Sequence, residues 1–289
     1  GGIHPLEEGM NKLALVAGCS NYLQSANNLI GPQHDVDRWA ELLTRYHGFS
    51  VLTLKDNLTT RTNLMARTWE MVNKELDENG ILVWIWSGHG YRVVEKQPGG
   101  SRKFIQAIAP WETDFSNTGF QHYLTRDLKR DLTPPQGRKA TIVAILDSCF
   151  SGNALRSFGS TDLLPYKTKG ILGPEDDSDE TGVVYRTFGK ALQSSSPHIL
   201  TLGASQDNQV AAYIQNLPGK GPGGAFSFAL QEALRTDRYS LKNNWSGIIC
   251  EATEWLGYEG FDQKPQLTGP DWKFKESAFI LAGTTPEVF

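Results

Sequence analysis

The chain is poor in cysteine, with only Cys19, Cys149 and Cys250 among 289 residues. An odd, sparse set excludes a disulfide framework, and the lack of any CxxC pair leaves no zinc signature. Such usage fits a reducing interior, so the expected location is cytoplasmic. No apolar run approaches the roughly 18 residues that a membrane span requires, and no secretory leader is visible. No Lys/Arg-rich block occurs and the formal net charge is −4, which argues against nucleic acid as a partner. Internal repeats are absent, as is any linker that would force two domains. Residues 1–11 read as a terminal tail or remnant, and residues 12–289 as one domain with a long loop at about 153–196. The remaining composition, 39% hydrophobic and 21% charged, supports a core without crosslinks.

What is present is an alternation of apolar and amphipathic stretches. "KLALVAG" from Lys12 reads as a buried strand. "HDVDRWAELLTRYHGF" follows, with Val36, Trp39, Leu42 and Leu43 at helical spacing and a stop at Gly48. "SVLTLKD" is a short strand. The next helical pattern uses Leu64, Met65, Trp69, Val72 and Leu76. "ILVWIWS", "ATIVAILD" and "HILTLGAS" are uninterrupted apolar strands, and "FIQAIAP" is a strand closed by Pro110. "LTRDLKRDL", "FSFALQEALRT" and "WSGIICEATEWLGY" read as helices, and "ESAFILAG" as a last strand. Strand alternating with helix, without polar alternation in the strands, describes a mostly parallel sheet covered on both faces. Between Asn153 and Ser196 the periodicity fades; so long a stretch is either functional or a solvated surface loop.

Two of the strands end in chemistry. "ILVWIWSGHG" delivers His89 between two glycines, and "ATIVAILDSC" delivers Cys149. In open α/β sheets the working site lies beyond the carboxyl ends of the strands. If these two strands are neighbours, imidazole and thiol meet there, and the glycines leave room for a substrate backbone. A free thiol is only a few per cent thiolate at neutral pH. An adjacent imidazole takes its proton and later delivers one to a leaving amine. The amide N–H groups of Gly90 and Cys149 are placed to face a developing oxyanion. No third member of a triad is evident. Singly, each residue is better read as core or surface chemistry; at two buried-strand ends together they point to catalysis. Alternation along the strand puts Asp147 on the same side as Cys149, with Ser148 opposite. A buried carboxylate there needs a cation or hydrogen-bond donors, and a substrate Lys or Arg side chain would suit it. Cys19, closing the first strand, and Cys250, within a late helix, read as structural.

The pair "SGHG" and "DSCFSG" resembles the caspase-fold cysteine peptidases. The aspartate two residues before the cysteine, with Ser-Gly two residues after it, is similar to metacaspases and orthocaspases; Phe150 stands where that family often has histidine. "LALVAGCSNY", "NNLIGPQHDVDRWAELL", "LTLGASQDNQVA", "GGAFSFAL" and "QKPQLTG" extend the likeness over nearly the whole chain. The resemblance implies a caspase-like α/β/α sandwich with a mostly parallel central sheet. It implies peptide hydrolysis through a thioester and cleavage after Arg or Lys. It also implies a specificity pocket that adds Asp35 and Asp207 to Asp147. Asp35 is equally explained as an acid at a helix N-terminus, and Asp207 as turn chemistry.

The chemistry requires no cofactor. Many metacaspases use calcium as an activator; there is no EF-hand loop here, and Asp114, Asp127 and Asp131 lie where the family keeps such ligands. Asp127 and Asp131 are also simply i, i+4 neighbours on a charged helix face. Polypeptides with Arg or Lys before the cut are the expected partners, acting on a monomer, with no nucleic acid and no membrane. The 153–196 loop carries Lys167 and Lys169 in "YKTKG", and an enzyme that cuts after basic residues could cut itself there. Two other readings stay open: a catalytically silent scaffold, and a clan relative with another residue preference. Scaffolds of this kind commonly lose the cysteine or histidine, and this chain retains both.

Overall fold

Apolar runs with no polar alternation need cover on both faces, and the chain supplies it. The computed structural model describes residues 10–96, 98–114, 122–148, 166–168, 197–204, 211–217, 221–236, 244–275 and 278–279. The strands in chain order are β1 (Lys12–Gly18), β2 (Ser50–Lys55), β3 (Ile81–Ser87), β4 (Gly90–Lys96), β5 (Arg102–Ile108) and β6 (Tyr123–Leu124). They continue with β7 (Thr141–Asp147), β8 (Tyr166–Thr168), β9 (Ile199–Gly203), β10 (Ala212–Leu217), β11 (Gly221–Gly224) and β12 (Gln266–Thr268). The α-helices are α1 (Pro32–His47), α2 (Arg61–Glu70), α3 (Thr125–Leu132), α4 (Ala225–Thr236) and α5 (Trp245–Tyr258).

The main sheet has the order β12-β9-β7-β3-β1-β2. Its pairings are parallel except for β12, which runs antiparallel to β9 at the edge. Because successive side chains alternate, the strands fill two cores. Leu13, Leu15, Leu82, Trp84, Trp86, Ile142 and Leu146 pack on one face with Leu64 of α2 and Leu128 and Leu132 of α3. Ala14, Val16, Val83, Ile85, Val143 and Ile145 pack on the other with α1, α4 and α5, through Val36, Trp39, Phe226, Leu230, Trp245 and Ile248. The result is the expected α/β/α sandwich. Two small antiparallel sheets, β4-β5-β6 and β11-β10-β8, stand outside it.

Several local readings differ from the sequence pattern. Trp69, counted on the apolar face of its helix, is 49% exposed, because the buried stripe runs through Leu64, Thr68, Met71 and Val72 and leaves Trp69 outside it. The last strand among the described residues is β12; of "ESAFILAG" only Ala278 and Phe279 are described, in a turn, and the rest lies outside the described residues. Cys250, read as structural, is exposed on α5, its thiol 3.8 Å from Glu254. Strand β8 falls inside the stretch that lacks periodicity and pairs antiparallel with β10. No helix among the described residues is long and apolar enough to cross a membrane.

The core contains one polar chain with a clear energetic role. Trp84 is fully buried; its indole N–H donates to Thr68 Oγ1 at 2.9 Å, and that hydroxyl donates to the Leu64 carbonyl at 2.7 Å. Thr68→Val keeps the shape and removes the acceptor, stranding a buried donor. The expected loss is about 1–3 kcal/mol, read from the midpoint of urea unfolding; an unchanged midpoint contradicts it.

Candidate active site

The strand order changes direction at β1, with β2 on one side and β3 on the other, so a crevice opens beyond the carboxyl ends of the central strands. There β3 and β7 run parallel in exact register, ending with Ser87 opposite Asp147. His89 stands two residues past the end of β3, and position 149 two residues past the end of β7. Cys149, Asp207 and Lys169 lie outside the described residues, as does most of the 153–196 stretch. Lys167 belongs to β8, where its backbone is opposite Tyr213. Gly90, the expected oxyanion donor, is buried and opens β4 opposite Ile108.

His89 is held on several sides. It is 5% exposed. Its backbone N–H donates to the Tyr22 hydroxyl at 2.9 Å, and its carbonyl accepts from Ala109 N–H at 3.0 Å and Trp86 Nε1 at 3.2 Å. The Tyr22 ring lies 5.1 Å from the imidazole, tilted at 42°. Imidazole Nε2 is 2.8 Å from the backbone carbonyl oxygen of Asn27. A carbonyl can only accept, so Nε2 carries the proton and Nδ1 is the basic nitrogen of the neutral ring. The Asn27 carbonyl therefore does for His89 what a carboxylate does in a triad: it fixes tautomer and orientation. Gly88 is required for this packing, since a Cβ there would lie 2.8 Å from Trp86 and 2.9 Å from the Tyr22 hydroxyl.

The loop carrying Tyr22 and Asn27 is pinned from below. Asp56, at φ 47°, accepts from the backbone N–H groups of Ser20 at 2.8 Å and Asn21 at 3.0 Å. It also accepts from Asn21 Nδ2 and from Gln33 Nε2. Cys19, at the base of the same loop, is fully buried. Burial pushes its thiol far above the ordinary range, and polar interaction with the Thr59 and Tyr22 side chains offsets this only in part. Burial likewise keeps the Tyr22 phenol protonated.

The acidic residues converge on the α1–α4 face of the sheet. Asp35 is fully buried in the first turn of α1. It accepts from the Ser87 hydroxyl at 2.6 Å, from Gly224 N–H at 3.0 Å and from Arg38 Nη2 at 2.7 Å. Asp147 is also fully buried and accepts from Ser227 N–H at 3.2 Å. Ser227 lies in the first turn of α4, where unpaired amides and the helix dipole favour an anion. The pairing of Ser87 with Asp147, and of Ser87 with Asp35, makes one cluster of two carboxylates beside the strand end that carries His89. Sequence reasoning reached the two acids and the histidine but not Tyr22, Asn27, Ser87 or Arg38. Ser87 was legible from parity: it shares a strand face with Ile85, as Asp147 does with Ile145. The Asn27 carbonyl had no sequence signal, since any residue supplies one.

The three acids considered for calcium do not come together. Asp131 accepts from the Tyr123 hydroxyl at 3.0 Å and Arg130 Nε at 2.9 Å, Arg130 Nη1 is 3.4 Å from Asp127, and Asp114 accepts from Gln24 Nε2 at 2.8 Å. Among the described residues no group of three His, Cys, Asp or Glu side chains is placed to hold a metal. A groove of about 550 Å³ between α2 and α3 is lined by Met65, Trp69, Lys74 and Asp131, among others, and none of the residues around His89 or Asp35 borders it.

Comparison with known proteins agrees with this fold. The family model described as "Caspase domain" matches residues 11–270. Metacaspase-1 of Meyerozyma guilliermondii is 30% identical, with 93% of this chain and 72% of that protein aligned. Metacaspase-1 of Scheffersomyces stipitis is 29% identical over 89% of this chain and 70% of its own length. Among solved structures, a Geobacter sulfurreducens protein, GSU0716, superposes with a TM-score of 0.62 at 16% identity, covering 94% of this chain and 99% of its own; that likeness speaks to the fold. With its helix-flanked parallel sheet and its match from residue 11 to residue 270, the chain belongs to the caspase-domain family and is a cysteine-type peptidase.

Proposed function

We propose that the chain is an endopeptidase that cuts after Arg or Lys through a dyad of Cys149 and His89. The observation that carries this reading is the buried pair of carboxylates, Asp35 and Asp147, joined through Ser87 and the β3–β7 register. Two acids taken out of water at a strand end are costly, and a substrate guanidinium or ammonium is the ligand that suits them. Asp207 is carried as a further acid of the same pocket.

The chemistry follows from the ring orientation. Nδ1 of His89 accepts the Cys149 thiol proton, and the thiolate attacks the scissile carbonyl. The amide N–H groups of Gly90 and Cys149 donate to the oxyanion. The imidazolium returns its proton to the leaving amine as the tetrahedral intermediate collapses to a thioester. Water, deprotonated by the same nitrogen, then releases the acid product and the free thiol. The Asn27 carbonyl stabilises the imidazolium by keeping its Nε2–H paired throughout. No step uses a cofactor. Calcium enters only as an activator, and a rate unchanged by chelation removes it. A monomer in the cytoplasm is part of the same proposal.

Fluorogenic peptides differing only in the residue before the cut are expected to be hydrolysed with Arg or Lys there and not with Asp. Asp147→Asn should raise KM for the basic peptides on the order of 10²-fold; preference for an acidic residue would sink the pocket assignment. His89→Ala should lower kcat by about 10³-fold or more with an unchanged melting temperature, and a comparable rate would remove the general base. We also propose self-processing after Lys167 or Lys169. Wild type incubated alone should yield two fragments by mass spectrometry while Cys149→Ala stays intact. If both stay whole, or both fragment alike, self-processing is wrong.

A further inference from the structure

The acid pocket already contains a cation. Arg38 lies one turn after Asp35 on α1, and its Nη2 donates to Asp35 Oδ1 at 2.7 Å, with the arginine side chain 14% exposed and the aspartate 0%. The guanidinium also lies over the Phe228 ring, 4.1 Å from its centroid, and Nη1 donates to the Pro222 carbonyl at 3.2 Å. Carboxylate, aromatic face and carbonyl together are what a binding site offers an arginine. The seat is shaped for it. A Cβ on Gly223 would fall 1.9 Å from Arg38 Nη2 and 2.7 Å from Asp35 Oδ1, so the glycine of β11 is what admits the guanidinium.

Stability is a weak reason for this arrangement. A buried ion pair seldom outperforms a well-packed apolar replacement, because desolvation offsets the attraction. An i, i+3 pair on a helix contributes only about 0.2–0.5 kcal/mol when exposed. Its consequence for recognition is direct. A basic group approaching Asp35 meets an oxygen already engaged by a guanidinium, and it meets that positive charge at close range.

We propose that Arg38 is a specificity-determining residue that acts through Asp35: a resident counter-ion that sets how strongly the pocket prefers a charged ligand over a neutral one of the same shape. This rests on the reading of Asp35 as part of the pocket for a basic side chain. With Arg38 in place the pocket's demand for positive charge is moderated, and the selectivity for Arg and Lys is lower than two carboxylates alone would give. Removing the charge should therefore sharpen discrimination rather than abolish binding.

Benzamidine and benzamide, matched in shape and differing in charge, test this by calorimetry on the full chain with Cys149→Ala as background. Arg38→Gln is expected to bind benzamidine about tenfold more tightly, with benzamide unchanged, and Arg38→Lys to resemble the parent. Arg38→Met, which fills similar volume without charge, replaces the Gln variant if that one does not fold. Benzamidine affinity that is unchanged or weaker in the uncharged variant, or undetectable in every protein, overturns the role of Arg38. Cleavage of Arg and Lys peptides by the wild type is a separate measurement. Its failure would overturn the proposed activity, while a flat benzamidine ratio beside normal cleavage would overturn only the counter-ion.

Discussion

The parallel register between β3 and β7 is the constraint on which the chemistry depends. Side chains alternate with a period of two, so a slip of β3 by one residue would send Ser87 into the opposite core, away from Asp147, and bring Trp84 and Trp86 to its face. The register is held by packing on both faces. Trp84 and Trp86 fill one core and Ile85 the other, and neither set tolerates exchange of place. The strands thus do two things at once. Their apolar runs lock the alignment, and the locked alignment delivers a hydroxyl and a carboxylate to one spot and a histidine just past it.

Keeping carboxylates dry requires donors, and the fold supplies them from four elements. Asp147 faces the first turn of α4, where Ser227 N–H reaches it. Asp35 sits in the first turn of α1 and draws on Ser87, Gly224 and Arg38. Both acids therefore stand at helix starts, where the peptide dipoles favour negative charge. The histidine is handled differently. Its partner is a neutral carbonyl from a loop that Asp56 ties down. A neutral partner orients the ring while stabilising the imidazolium less than a carboxylate would, which suits a thiol nucleophile that ionises more readily than serine.

The elements that sequence reasoning recovered share a physical cause: each is specified by a local period. The five apolar strands and the long amphipathic helices follow from Leu, Ile, Val and Trp spacing alone, and the α/β/α layering from the lack of polar alternation. What escaped lacks such a signal. Strand β11 is "GPGG", a sequence with no side chains to pattern, and its place is set by close approach to α1, where Gly223 nearly touches Gly31. Strand β4 has no apolar run to mark it, although its partner β5 was legible in "FIQAIAP". Trp69 was counted on the apolar face because the buried position beside it is held by a polar residue, Thr68. In the site, His89, Asp147 and Asp35 were legible because strand ends and motif residues mark them. The Asn27 carbonyl and the Arg38 seat were not, because they depend on how loops and helices distant in sequence are brought together.

The same reasoning separates the three thiols. Cys19 is sealed in the core, and burial, reinforced by the negative charges of Asp56 and Glu112, opposes its ionisation. A thiol that cannot ionise is no nucleophile. Cys250 is exposed on α5, on the outer helical layer, and its described thiol contact is with Glu254. Position 149 differs in what its strand brings to it: a parallel neighbour in register whose next residues are Gly88 and His89, and the buried cluster of Asp147, Ser87 and Asp35. The fold withholds ionisation from Cys19 by burial, and it gathers His89, Asp35 and Asp147 about the strand ends that lead to position 149.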